Sequence, residues 1–65
     1  MRALTPRQAE ILSILIDGHD YKEVATQLNL SERTVRSQMY EARIRMGCRT
    51  QYELVALYVL QSHHD

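Results

Sequence analysis

Two short helical patterns separated by a tight polar turn, within residues 20–49, constrain the fold of this chain more than any other feature. The first pattern opens with Asp20 and Glu23, whose spacing is that of a capping box. The second, residues 32–46, follows the N-cap residue Ser31 and is rich in arginine. Two helices joined this closely cross at a steep angle, the geometry that places a helix in the major groove of DNA. The segment therefore predicts double-stranded DNA as a partner.

The arginine-rich helix has two contrasting faces. One narrow stripe is apolar and has to pack on the core; it consists of Val35, Met39, Ala42 and Met46. The opposite arc is polar and carries Arg33, Arg36, Ser37, Tyr40 and Arg43. At about 1.5 Å per residue the helix is long enough to lie in a major groove. The outward arc supplies donors for guanine edges or phosphates and a ring for a thymine methyl group. The alternative interpretation is a solvated charged face.

Charge is distributed unevenly, although the formal net charge is zero. Residues 31–50 hold five arginines against two glutamates, which gives +3, and the remainder holds three basic against six acidic residues, which gives −3. The chain is therefore basic where the arginine-rich helix lies. Because zero net charge weakens long-range attraction to DNA, we expect tight binding to need a dimer.

The chain reads as one all-α domain over residues 1–65, a four-helix bundle of the helix-turn-helix type. Capping signals also mark the other two helices: Thr5 with Pro6 before the first, and Thr50 before the fourth. The four predicted helices cover about residues 6–17, 21–28, 32–46 and 51–61. A chain of this size forms one modest core and no deep substrate cavity.

The predicted fourth helix holds seven apolar residues in succession, from Leu54 to Leu60. Such a run covers nearly the whole circumference of a helix, and a small domain can bury only one side of it. We therefore expect a homodimer through this helix, the alternative being a well-buried terminal helix. The predicted interface consists of Leu54, Val55, Leu57, Tyr58 and Leu60.

Several short motifs together closely resemble the LuxR-type (GerE-type) helix-turn-helix domain over about residues 4–60. The motifs are Leu4-Thr5-Pro6-Arg7, Glu10-Ile11-Leu12, Asp17-Gly18, Lys22-Glu23-Val24-Ala25, Leu28, Leu30-Ser31-Glu32, Thr34-Val35-Arg36 and Met46-Gly47-Cys48-Arg49-Thr50. The resemblance implies a four-helix transcription regulator whose third helix reads DNA and whose fourth helix pairs two subunits. It implies base contacts by Arg36, Ser37 and Tyr40, and backbone contacts by Lys22, Ser31, Thr34 and Gln38. The outward arc adds Arg33 to the base contacts and Arg43 to the backbone contacts.

The chain departs from the family pattern at four positions of the third helix. Arg33 stands where members usually have a small residue, and Gln38 where they often have histidine. Arg43 and Ile44 look exchanged relative to the usual apolar-then-basic order, so Ile44 is expected to project from the outward arc. The 65 residues include no receiver or ligand-sensing domain, and in this they resemble the stand-alone members. We therefore expect control through abundance or through a partner such as RNA polymerase or another regulator.

Two other functions remain open at this point. The stretch from Thr34 to Arg45 also resembles region 4 of bacterial sigma factors, which binds promoters as part of polymerase. A protein-binding helical adaptor is a further possibility, in which the apolar fourth helix captures another regulator. An enzyme is not expected, because no nucleophile and base are paired and no glycine-rich loop is present to bind phosphate.

No cofactor or metal is expected. His63, His64 and Asp65 form a terminal cluster that is typical of a frayed tail rather than a metal site. The single cysteine, Cys48, excludes an intramolecular disulfide and is expected to be a buried structural thiol. No signal peptide or run of about 20 apolar residues is present, so the sequence predicts no membrane contact and a cytoplasmic, nucleoid-associated protein.

Overall fold

Four helices make up nearly all of the computed structural model, which describes residues 3–62. They are α1 (Pro6–Ile16), α2 (Tyr21–Leu28), α3 (Glu32–Met46) and α4 (Gln51–Ser62), and the described residues contain no strand. The predicted all-α, four-helix class is confirmed. The predicted boundaries differ by one residue at two ends, because Asp17 is the C-cap of α1 and α4 continues to Ser62. The predicted terminal tail of His63, His64 and Asp65 lies outside the described residues.

Each helix begins at the capping residue that the sequence predicts. In three capping boxes the first side chain accepts from the backbone amide three residues later, and that later side chain accepts from the first amide. The pairs are Thr5–Gln8, Asp20–Glu23 and Thr50–Glu53. Ser31 caps α3 without a reciprocal partner, since its Oγ accepts from the Thr34 amide over 3.0 Å. A cap of this kind stabilises a helix by about 1 kcal/mol, so local chemistry fixes where α3 begins.

The turn between α2 and α3 is closed by a left-handed residue. Asn29 has φ of 57° and ψ of 44°, a conformation that asparagine adopts more readily than most residues. It allows the Leu30 amide to donate to the Ala25 carbonyl over 2.9 Å, which satisfies a carbonyl at the end of α2. Ser31 follows at once as the cap of α3. The three-residue turn therefore holds α2 and α3 in a fixed helix-turn-helix.

The core lies between all four helices, and α1 and α3 each pack against the three others. Its fully buried apolar side chains are Ile11, Leu12, Val24, Ala25, Val35, Met39, Ala42 and Leu54. The predicted inward stripe of α3 is thus confirmed at three positions, while Met46 is half-buried at its end. Each large apolar side chain buried this way stabilises the fold by about 1.5 to 3 kcal/mol. The core consequently fixes which side of α3 faces outward.

The fourth helix requires a correction to the predicted dimer surface. Leu54 is only 1% exposed and belongs to the core of its own chain, so it is not available to a second chain. Val55 and Tyr58 are half-buried and pack against that core. Leu57 and Leu60 are 36% and 68% exposed, as expected for a surface that a partner covers. The apolar run therefore divides into an inner side and an outer side.

Candidate nucleic-acid interface

Four exposed side chains lie along the side of α3 that faces away from the core. They are Arg33, Ser37, Tyr40 and Ile44, which we call the outer stripe. Their spacing of three or four residues places them on adjacent turns of one helix face. Tyr40 and Ile44 are 58% and 59% exposed, so large apolar surface accompanies the polar groups. The predicted exposure of Ile44 on this side is confirmed.

Arg36 lies at the edge of the outer stripe and is held by two neighbours. Its Nη2 donates to Glu32 Oε2 over 2.7 Å, one helical turn earlier. Its guanidinium also lies over the ring of Tyr21, with 5.0 Å between the guanidinium carbon and the ring centroid. The Arg36 side chain remains 60% exposed. It is therefore oriented by the protein while its other N–H groups face solvent.

Three of the predicted backbone contacts, Lys22, Ser31 and Thr34, are exposed near the helix-turn-helix. Lys22 lines an open groove together with Arg36, Tyr21 and other residues that come from all four helices. The Ser31 hydroxyl donates to Thr34 Oγ1 over 2.8 Å while it caps α3. Because Thr34 Oγ1 accepts that bond, its own proton can be donated outward. Lys22 thus presents a cation beside Arg36, and Thr34 presents a hydroxyl donor at the N-terminus of α3.

Two other predicted backbone contacts, Gln38 and Arg43, are half-buried and already bonded within the chain. Gln38 Oε1 accepts from Gln8 Nε2 over 3.4 Å, which ties α3 to α1. Arg43 Nη1 donates to the Arg49 carbonyl over 2.9 Å, and its guanidinium lies 5.4 Å from the centroid of the Tyr40 ring. Gln38 keeps both Nε2 protons for a phosphate, because its bond uses only Oε1, whereas Arg43 offers the donors that its bond leaves over.

Two titratable groups beside the interface have a raised pKa and remain neutral near pH 7. Partial burial raises the pKa of Tyr21, although the nearby cations Arg36 and Arg43 oppose the shift. Burial and then the carboxylate of Glu53 raise the pKa of the Cys48 thiol, against the opposing effect of Arg43. Neither group therefore adds negative charge beside the arginines and Lys22.

Sequence reasoning missed two members of this site, Glu32 and Tyr21. The Glu32–Arg36 pair has i,i+4 spacing, a recognised signal for a side-chain contact on a helix, and the sequence alone was sufficient to predict it. Tyr21 and Arg36 are on different helices, so no local periodicity reports their contact. Gln8 was also missed as a buried polar residue; it is 3% exposed, closes the α1 capping box and donates across to Gln38 on α3.

Two other features, a metal centre and a membrane-spanning helix, are absent from the described residues. Within residues 3–62, no three metal-ligating side chains come together. No helix in the same range is long and apolar enough to cross a membrane. Cys48 is half-buried rather than fully buried, and it packs at the edge of the core as a free thiol.

Comparison with known proteins agrees with the geometry of α2 and α3. A family model described as bacterial regulatory proteins of the luxR family, GerE, matches residues 2–58. The spore germination protein GerE of Bacillus subtilis (strain 168) is 33% identical over 52 residues, which cover 80% of this chain and 70% of that protein. The family is one of DNA-binding regulators and not of enzymes. The family match agrees with a capped helix-turn-helix whose second helix, α3, exposes arginines. This chain belongs to the LuxR family and is a DNA-binding transcription regulator.

Proposed function

We propose that α3 of this chain lies in the major groove of double-stranded DNA and that two copies, paired through α4, read an inverted repeat. The observation that carries the proposal is the position of the outer stripe. Arg33, Ser37 and Tyr40 are exposed directly opposite the buried side chains of Val35 and Met39. A groove that receives α3 therefore meets these side chains first.

Base reading is assigned to Arg36 together with the polar residues of the outer stripe. A guanidinium has five N–H donors, and the bond to Glu32 engages only part of them. The remaining donors suit a bidentate contact with the O6 and N7 atoms of guanine, which is worth about 1 to 3 kcal/mol of discrimination. Arg33, Ser37 and Tyr40 contact neighbouring base edges in this arrangement.

Backbone contacts set the register of α3 in the groove. Lys22 supplies a cation, and the Thr34 hydroxyl supplies a donor in the first turn of α3. The first amides of α3 have no carbonyl partner within the helix and point toward its N-terminus, where a phosphate binds favourably. Ser31 contributes mainly through its cap, since its hydroxyl is bonded to Thr34. Gln38 and Arg43 contribute the donors that their internal bonds leave over.

Pairing through α4 explains the exposed apolar side of that helix. Leu54 is buried, and Val55 and Tyr58 pack half-buried against the core, so they leave the predicted set. The proposed interface keeps Leu57 and Leu60 and adds Tyr52, Ala56 and Val59, which lie on the same outer side of α4. Tyr52, at the start of α4, is 87% exposed. A two-fold dimer presents two α3 helices to half-sites about 10 bp apart on one face of the duplex. We also propose that the protein acts in the cytoplasm at the nucleoid, where its abundance or a partner regulator controls it.

The proposal is tested by selecting bound duplexes from a random pool at fixed salt and then measuring stoichiometry on the selected sequence. We expect an enriched palindrome bound by two chains. A single enriched half-site bound by one chain would contradict the dimer but retain base reading by α3. If no sequence is enriched, base reading itself is wrong, and α4 with Ile44 becomes a surface for another protein.

A further inference from the structure

Side chains from three helices meet at Tyr21, the first residue of α2. Its ring lies under the guanidinium of Arg36 on α3, at 5.0 Å from the guanidinium carbon to the ring centroid. Its hydroxyl donates to Oε1 of Gln51, the first residue of α4. The ring is half-buried and packs at the edge of the core. Tyr21 is thus fixed at both ends, by the core at its base and by Gln51 at its hydroxyl.

The link between Tyr21 and Gln51 joins helices that are otherwise separate. In the part of the chain that the structure describes, α2 and α4 do not pack directly against each other. The Tyr21–Gln51 hydrogen bond and the Tyr21–Arg36 contact therefore connect the start of α4 with Arg36 through one side chain. Gln51 precedes Tyr52, which is on the proposed dimer surface.

We propose that Tyr21 is a positioning residue, which orients the guanidinium of Arg36 for base reading and is itself held in place by Gln51. This inference rests on the proposed function, because it assigns a role within that same site. The long arginine side chain loses rotamer freedom when it binds a base edge. A ring that already restricts the guanidinium plane reduces this loss and favours one approach to the base.

Contact with Tyr21 is compatible with contact to a base. The aromatic ring engages the face of the guanidinium, whereas hydrogen bonds to guanine lie in the guanidinium plane. The bond from Arg36 to Glu32 also lies in that plane and occupies Nη2, so it uses part of the donor capacity of the guanidinium. Tyr21 uses none of the guanidinium donors, which distinguishes its role from that of Glu32.

The main test measures preference at each base pair of the selected duplex, using its single-base-pair replacements as competitors. Tyr21→Leu, which removes the ring, should lower the preference at the position that Arg36 reads by about three- to tenfold, the range expected for a partly desolvated cation–π contact. Tyr21→Phe is the matched control that keeps the ring, and it should retain at least half of the preference. Gln51→Leu, which removes only the acceptor, should behave like Tyr21→Phe. In an Arg36→Ala background, Tyr21→Leu should leave base preference unchanged.

A second measurement uses the folded wild type and needs no variant. The Arg36 guanidinium lies over the face of the Tyr21 ring, so its Nε–H proton should resonate upfield of the Nε–H signals of the arginines that contact no ring. If Tyr21 positions Arg36 during base reading, this upfield shift should persist in the complex with the selected duplex. Its disappearance on binding would overturn the inference even if Tyr21→Leu fails to fold.

The outcomes separate this inference from the function on which it rests. Equal weakening of all duplexes by Tyr21→Leu, or no change in preference, overturns the positioning role alone. A preference that is insensitive to Arg36→Ala overturns base reading by Arg36 and the positioning role with it. A wild type without any sequence preference overturns the proposed function, and both roles fall together.

Discussion

The outer sides of α3 and α4 differ, although both helices pack on the same core. Val35 and Met39 of α3 and Leu54 of α4 share one apolar cluster. Away from that cluster, α3 exposes arginines, a serine and a tyrosine, whereas α4 exposes mainly tyrosine, alanine and leucine. The core thus constrains only the inner positions of each helix. The outer positions are free to specialise, and we propose one side for DNA and the other for a second chain.

The two outer sides also differ in how far they are organised before binding. On α3, Arg36 is already bonded to Glu32 and lies over Tyr21. On α4, Leu60 is 68% exposed. Covering apolar surface is favourable by about 25 cal/mol per Å². In the proposed complex, the α3 side therefore gains specificity from orientation, and the α4 side gains affinity from burial.

The largest expected effect on DNA binding comes from a substitution on the outer side of α4. Leu60→Glu places a charge in the proposed dimer interface and should weaken binding to a two-half-site duplex by about 100-fold, the scale set by the effective concentration of a linked second site. Binding to a single half-site should not change. Titration of both duplexes by fluorescence anisotropy measures the difference. The matched control, Gln61→Glu, adds the same charge at the next exposed position; equal losses in both variants would contradict the interface.

The second-largest effect comes from a substitution on the outer side of α3, which should change base preference and not dimer formation. Arg36→Ala should lower discrimination at one base pair by about tenfold, since a bidentate contact with guanine is worth about 1 to 3 kcal/mol. The dimer should form as in the wild type. Competition between the selected duplex and its single replacements measures this change. Arg7→Ala on α1, which removes an exposed arginine paired with Glu10, serves as the control and should leave preference intact. A loss of dimer formation in Arg36→Ala would contradict the assignment of separate roles to α3 and α4.

A smaller and non-specific effect is expected at Lys22. Lys22→Ala should weaken binding to every duplex by about threefold and reduce the slope of log affinity against log salt concentration by about one, because one phosphate contact is lost. Binding measured at several salt concentrations on specific and unrelated duplexes provides the test. A loss confined to the selected sequence would show that Lys22 reads bases.

The smallest effect on binding is expected at the caps, which also allow α3 and α4 to be compared directly. Ser31→Ala and Thr50→Ala should each lower the free energy of unfolding by about 1 kcal/mol, as measured by urea denaturation. Only Ser31→Ala should also weaken DNA binding, by about twofold, because Ser31 orients the Thr34 hydroxyl and the first turn of α3. A comparable binding defect in Thr50→Ala would contradict the separation of the two sides.

Local features of the fold were predictable from the sequence because their chemistry is local. Thr5, Asp20, Ser31 and Thr50 cap their helices as predicted, since a cap depends on residues only three positions apart. The inward stripe of α3 was predictable because a helical period sorts its residues into two clear faces. The sequence therefore predicted the fold and the exposed side of α3.

Features that depend on packing between helices were not predictable. Seven apolar residues in succession leave no periodicity by which to separate Leu54, which faces the core, from Leu60, which faces outward. Tyr52 was missed because it precedes that run, although it is 87% exposed. The contact of Tyr21 with Arg36 joins residues on different helices. In each case the position of a neighbouring helix decides the outcome.

The most direct test of separate roles for α3 and α4 is NMR titration of the labelled protein with its selected duplex. We predict that DNA shifts the amide signals of Lys22, Arg33 and Ser37. We also predict that the signals of Tyr52 and Leu60 respond to protein concentration in the absence of DNA. The contrary result, in which DNA shifts the outer side of α4 and leaves α3 unchanged, would contradict the assignment of base reading to α3.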